Sequence, residues 1–151
     1  MKQPPELDAA QRQMKPGAIT LEGFLGPDRR CLAEIIEEDD NAVHGLGLTH
    51  EQIAERLEYF MRQALKGLGT AVTVDGAYEV RAETVRGVLP CPWPRDGVHP
   101  KSNAFLLNLR TGETLAWTGL TIHLIRAHGF YQGKGSRFRL DPERAKRVLG
   151  L

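Results

Sequence analysis

Apolar residues recur at helical spacing in the first half of the chain and alternate in the second. Leu32, Ile35, Ile36 and Val43 share one face of a helix predicted over residues 28–43, with Asp28 as N-cap and Gly45 as its stop. A longer stripe of Ile53, Leu57, Phe60, Ala64, Leu65 and Leu68 predicts a second helix ending near Gly67. Thr49 followed by Gln52 is its capping box. From Thr70 the period changes to two. Residues 71–74 and 77–85 flank Asp75-Gly76, a pair suited to a type I′ hairpin turn. In the second of these strands Tyr78, Val80 and Ala82 face one way, and Glu79, Arg81 and Glu83 the other.

Pro90, Pro92, Pro94 and Pro100 then predict a stiff, irregular turn that presents Cys91. A further strand pair, 104–109 and 113–117, turns at Arg110-Thr111-Gly112. Thr118 caps a short helix running through Leu120, Leu124 and Ile125 to Gly129. Asp141-Pro142 opens a last helix, since Asp caps well and Pro fits the first helical position. The expected architecture is α+β, an N-terminal helix pair packed on a small antiparallel sheet with a ββα zinc-finger-like C-terminal half. Residues 1–16, polar and holding Pro4, Pro5 and Pro16, read as a flexible tail. Residues 17–151 read as one domain, helical over 17–68 and strand-rich over 69–151.

Composition narrows the class without choosing a function. With 151 residues, 41% hydrophobic and 26% charged, the chain can bury a core without disulfide staples. No run approaches the roughly 20 apolar residues of a membrane span, and no export signal precedes the first helix. Cys31 and Cys91 lack scaffold spacing, so the expected setting is a reducing cytoplasm. Net charge is +1 but uneven: residues 1–92 carry ten Lys and Arg against fifteen Asp and Glu, residues 93–151 ten against four. Such asymmetry marks either a face for an anionic partner or two halves that attract each other.

One constellation carries pointed chemistry. Cys91, His99, His123 and His128 have the spacing Cys-x7-His-x23-His-x4-His. Zinc favours thiolate and imidazole in a tetrahedron, and structural fingers draw one ligand pair from a turn and another from a helix. Positions 123 and 128 lie about 140° apart on an ideal helix, so convergence is expected only where the last turn loosens beside Gly129. The competing reading gives the four residues separate packing and capping roles. A catalytic alternative is a metal-dependent hydrolase or nuclease of the HNH type, with Asn108 orienting a histidine. A Cys91–His thiol hydrolase lacks a defined triad.

Other patterns carry less. The run Glu37 to Asp40 lacks the alternation and glycine of an EF-hand and reads as a solvated helix face. The string from Leu48 to Leu57 starts like a helix-turn-helix but lacks a recognition helix. Gly133-Lys134-Gly135-Ser136 lacks the spacing of a phosphate loop. Arg126, Lys134, Arg137 and Arg139, interleaved with Phe130, Tyr131 and Phe138, could meet nucleic acid or an acidic protein surface; the alternative is a docking segment whose aromatics enter the core.

The chain also resembles a family of uncharacterised bacterial cytoplasmic proteins. The resemblance lies in Phe24-Leu25-Gly26, the acidic stretch from Glu34 to Asp39, Leu46 to Glu51, Cys91-Pro92, Asn108 to Glu113 and Ile122 to Phe130. It implies a single folding unit after Pro16 and no particular activity. The sequence therefore predicts a small zinc-stabilised binding or regulatory module contacting an anionic partner through residues 126–147. An HNH-like hydrolase is the alternative.

Overall fold

A computed structural model describes residues 3–151. The described residues form five helices and one four-stranded antiparallel sheet, an α+β fold. The helices are α1 (Pro5–Gln13), α2 (Leu32–Gly45), α3 (His50–Leu65), α4 (Gly119–His128) and α5 (Pro142–Leu149). The strands β1 (Val72–Val74), β2 (Tyr78–Pro90), β3 (Val98–Asn108) and β4 (Thr114–Thr118) pair in chain order as a meander. No described helix is long and apolar enough to cross a membrane.

Local chemistry places most boundaries. Thr49 and Gln52 form both arms of the capping box that starts α3, and Thr118 with Thr121 does the same for α4. Asp75 and Gly76 both sit at positive φ, 52° and 63°, as a type I′ turn requires. Asn108 Oδ1 accepts from the backbone N–H groups of Arg110 and Thr111 at 2.9 and 3.3 Å and so shapes the β3–β4 turn. Its Nδ2 donates to the Val148 carbonyl, which commits the side chain to structure rather than to orienting a histidine.

Three expectations are corrected. The N-terminal segment read as a tail contains α1, with Ala10 and Met14 fully buried; Met1 and Lys2 lie outside the described residues. Burying a side chain the size of Met14 contributes about 1.5–3 kcal/mol, more than any surface ion pair, and that burial holds the helix down. Helix α2 starts at Leu32 with Cys31 as N-cap, because the Asp28 carboxylate instead accepts from the Arg30 guanidinium. Pro90 and Pro100 lie within strands: past a register shift between Val85 and Val88, the β2–β3 hairpin continues to Pro90 opposite Val98. There neither strand has a second neighbour, so a missing N–H costs no ladder bond.

The sheet presents Tyr78, Val80, Ala82, Ala104, Leu106, Leu115 and Trp117 to the helices, building the larger core with α3 and α5. A second core joins Met14, Phe24, Leu32 and Ile35 to Cys91, Trp93, Leu120, Leu124 and Phe130. Helix α4 contributes to both. Asp39, read from sequence as part of a solvated face, is buried and meets the Arg139 guanidinium in a two-pronged ion pair. Removing one partner of such a pair strands the other charge. Asp39→Ala is expected to cost about 3 kcal/mol in urea unfolding, whereas Glu58→Ala, which leaves the part-exposed Arg126 still paired with Glu51, should cost under about 1 kcal/mol.

Candidate metal centre

The tip of the β2–β3 hairpin is a seven-residue loop, residues 91–97, closed by the Cys91 N–H donating to the Gly97 carbonyl at 3.0 Å. Arg95 and Gly97 take positive φ, 59° and 86°, on either side of Asp96. An Arg in the left-handed region is strained, and such strain persists where the surroundings over-determine it. Here the surroundings are apolar. Cys91 and Trp93 are buried in the second core, and Trp93 stacks on His128 with centroids 3.8 Å apart and planes 5° from parallel.

Asp96 is thereby delivered to the C-terminal end of α4. Its Oδ2 lies 2.7 Å from His123 Nε2, 2.5 Å from His128 Nε2 and 3.3 Å from Cys91 Sγ. Cys91 Sγ is 3.7 Å from His128 Nε2. Ligand atoms of Cys91, Asp96, His123 and His128 all fall within 4.8 Å of one another, so this cluster could hold a metal ion. The histidines converge without the unwinding expected from their spacing. Helix α4 stays regular through His128 and stops at Gly129, φ 60°, while the two rings stand nearly perpendicular at 82° with centroids 5.5 Å apart.

His99, grouped with these residues by sequence spacing, lies beside the cluster. Its ring stacks on His123 at 4.2 Å, and its Nε2 is buried without a hydrogen-bond partner. Burial, then the neighbouring His123, holds its pKa below the ordinary value. Asp96 escaped sequence reading because only Cys and His were weighed as ligands. The available signal was the Arg95-Asp96-Gly97 turn, five residues past Cys91 and inside the same proline-bounded loop.

The electrostatics suit coordination better than thiol catalysis. Burial pushes the Cys91 thiol up to about 12, and the adjacent Asp96 carboxylate adds to this against an opposing Trp93 N–H. Burial also raises Asp96, but contacts from His128, His123 and Cys91 outweigh it and hold the carboxyl at about 2. This depressed value stabilises the docked tip above the ordinary carboxyl range and is lost as pH falls through about 2. A Cys-His-Asp triad needs the two histidine nitrogens to face different partners. In His128 one nitrogen, Nε2, faces both Cys91 and Asp96.

The basic residues singled out from sequence are mostly engaged. Arg126 pairs with Glu51 and Glu58, Lys134 with Glu38, and Arg139 with buried Asp39. Part of the charge asymmetry is therefore internal attraction. Phe130 and Tyr131 are fully buried, as the docking reading of this segment expects, and Arg137 stays exposed over the Phe138 ring. His50, not singled out for chemistry, links Tyr131 Oη and Asp40 Oδ1, each at 2.8 Å.

Fold and site together define an α+β protein with a Cys/Asp/His2 cluster able to take a metal ion. In comparisons with protein-family models, curated proteins and solved structures, nothing matches the chain, so the site's chemistry must carry the functional reading.

A thiol with a pKa near 12 stays protonated in neutral and mildly alkaline buffer, and the thiolate is the nucleophile. Metal-free protein treated with iodoacetamide is expected to label at Cys31 and not at Cys91, as read by peptide mass mapping. Rapid labelling of Cys91 in folded protein would contradict this electrostatic account.

Proposed function

We propose that the chain is a zinc-stabilised binding module. Cys91, Asp96, His123 and His128 hold a structural ion that ties the hairpin tip to the end of α4. One observation carries the reading: three donor atoms from two separate elements aim at a single carboxylate oxygen. Zinc–ligand bonds of about 2.0–2.3 Å place tetrahedral donors roughly 3.3–3.7 Å apart. The Cys91–Asp96 and Cys91–His128 spacings, 3.3 and 3.7 Å, already match. The shorter histidine–carboxylate contacts are hydrogen bonds that coordination would replace. Four protein donors close a tetrahedron, which favours a structural over a catalytic ion. The ion would also make Cys91 a thiolate, relieving the cost of ionising it in a buried place.

A catalytic reading is favoured by one feature, the buried and unpartnered Nε2 of His99 beside His123. There the ion keeps a water, and His99 is a further ligand or base. The two readings separate by experiment. For the structural ion, elemental analysis of untagged protein is expected to give near-stoichiometric zinc. His123→Ala/His128→Ala should lose that zinc and lower the thermal midpoint. Metal-free parent protein that still unfolds cooperatively at an unchanged midpoint would sink the reading. Hydrolysis of bis(p-nitrophenyl) phosphate that disappears in His99→Ala, with zinc retained, would replace it with the catalytic one.

A further inference from the structure

Helices cover one face of the sheet, and the register places Arg81 beside Phe105 and Ala116, and Asn103 beside Glu83 and Thr118, on the other. Lys101, opposite Val85, continues this outer face toward the hairpin tip. Here residues 20–24 and 132–138 fold across the strands and leave a hollow of about 290 Å³. Its walls are apolar, with Phe24, Leu89, Leu120 and Phe138, and Leu21 stands 89% exposed at the rim. The volume sits at the lower edge of the roughly 300–1,000 Å³ of small-molecule sites, which suits a ligand of metabolite size.

The covering segments are interlocked. A Cβ on Gly133 would lie 2.2 Å from the Leu25 carbonyl oxygen, and one on Gly26 would lie 2.7 Å from the Ser136 nitrogen. The Gly133 N–H donates to the Phe24 carbonyl at 3.0 Å. The second segment opens on Gln132, a non-glycine residue at φ 70° and only 4% exposed. Arg139, anchored by buried Asp39, donates to its carbonyl, so this conformation is imposed from outside the loop. One end of its amide meets the Ser136 hydroxyl at 2.8 Å. The amide nitrogen makes no hydrogen bond among the described residues and keeps solvent access where the side chain lines the hollow. Strained residues gather where ligands are held, and a solvent-facing amide there is free to meet one.

Several cations of the C-terminal half are already committed to acids. Arg126, Lys134, Arg139 and Arg147 all pair with acids. Lys101 and Arg137, which both line the hollow, have no ion pair among the described residues. The one lining acid, Glu22, is exposed. A larger hollow on the same face also borders Arg137, but its other cations are engaged: Arg81 pairs with Glu83, Arg139 with Asp39, and Arg144 donates to the Thr114 carbonyl.

We propose that the smaller hollow is a binding site for a small amphipathic carboxylate. Lys101 and Arg137 hold the anionic head, the free end of the Gln132 amide orients it, and the carbon body lies against Phe24, Leu120 and Phe138. Apolar walls with a few convergent polar groups are the usual composition of such sites. The site is independent of the metal centre.

The test uses full-length protein at its native metal content, titrated with octanoate and separately with 1-octanol, read by calorimetry and backbone amide shifts. Octanoate is expected to bind saturably, with shifts at Lys101, Leu120 and Gln132, and 1-octanol at least about tenfold more weakly, as a charge-assisted contact implies. Lys101→Gln/Arg137→Gln should weaken octanoate by a similar factor while leaving the urea midpoint and metal content unchanged. Absence of saturable octanoate binding, equal affinity for the alcohol, or a double variant that binds as well as the parent would each overturn the proposal.

Discussion

The β2–β3 hairpin is much longer than the sheet that contains it. Its strands run 13 and 11 residues, while flanking β1 and β4 run three and five. Beyond Val85 the two strands have only each other, and a lone two-stranded ribbon is marginal in water. The tip must therefore be fastened to something else. Two kinds of contact do this at one place: Cys91 and Trp93 enter the second core, and Asp96 reaches the paired histidines of α4. Because α4 also packs against the sheet, fastening the tip joins the two cores.

That placement shapes the chemistry. A carboxylate, a thiol and two imidazoles meet where Trp93 covers one histidine and His99 covers the other. Cys91 is buried there, so the thiol does not ionise alone, and each donor would gain from a shared cation more than it would at the surface. The same logic runs through the rest of the molecule. Acids of α2 and α3 meet cations of the C-terminal half, with the Asp39–Arg139 pair taken out of water and holding the loop that carries Gln132. The loop is rigid enough to roof a hollow because its glycines admit the backbone of residues 25–27.

Elements decided by short-range chemistry were legible in the sequence. The capping box at Thr49, the cap at Thr118, the Asp75-Gly76 turn and the Asp141-Pro142 helix start all depend on residues within a few positions of one another. What escaped depended on distant partners. Helix α1 is polar by composition and holds through Met14 meeting a core built by residues far along the chain. Asp39 sits among three other acids, and only Arg139, a hundred positions away, distinguishes it. Prolines 90 and 100 read as breakers because nothing local indicates that the strands there lack outer neighbours. At the site, Cys91, His123 and His128 were found by residue type. Asp96 was missed because only thiol and imidazole were weighed as ligands, and its significance comes from the helix end it faces.

The central claim is that these four side chains share one zinc ion, and its direct test is X-ray absorption at the zinc edge on protein purified without chelator. The expected spectrum has one sulfur at about 2.3 Å and three nitrogen or oxygen ligands near 2.0–2.1 Å. The sulfur shell should vanish in Cys91→Ser and one light ligand should change in Asp96→Asn. A shell without sulfur, or protein that carries no zinc at all, would contradict the account and leave the cluster as a hydrogen-bonded clasp for the hairpin tip.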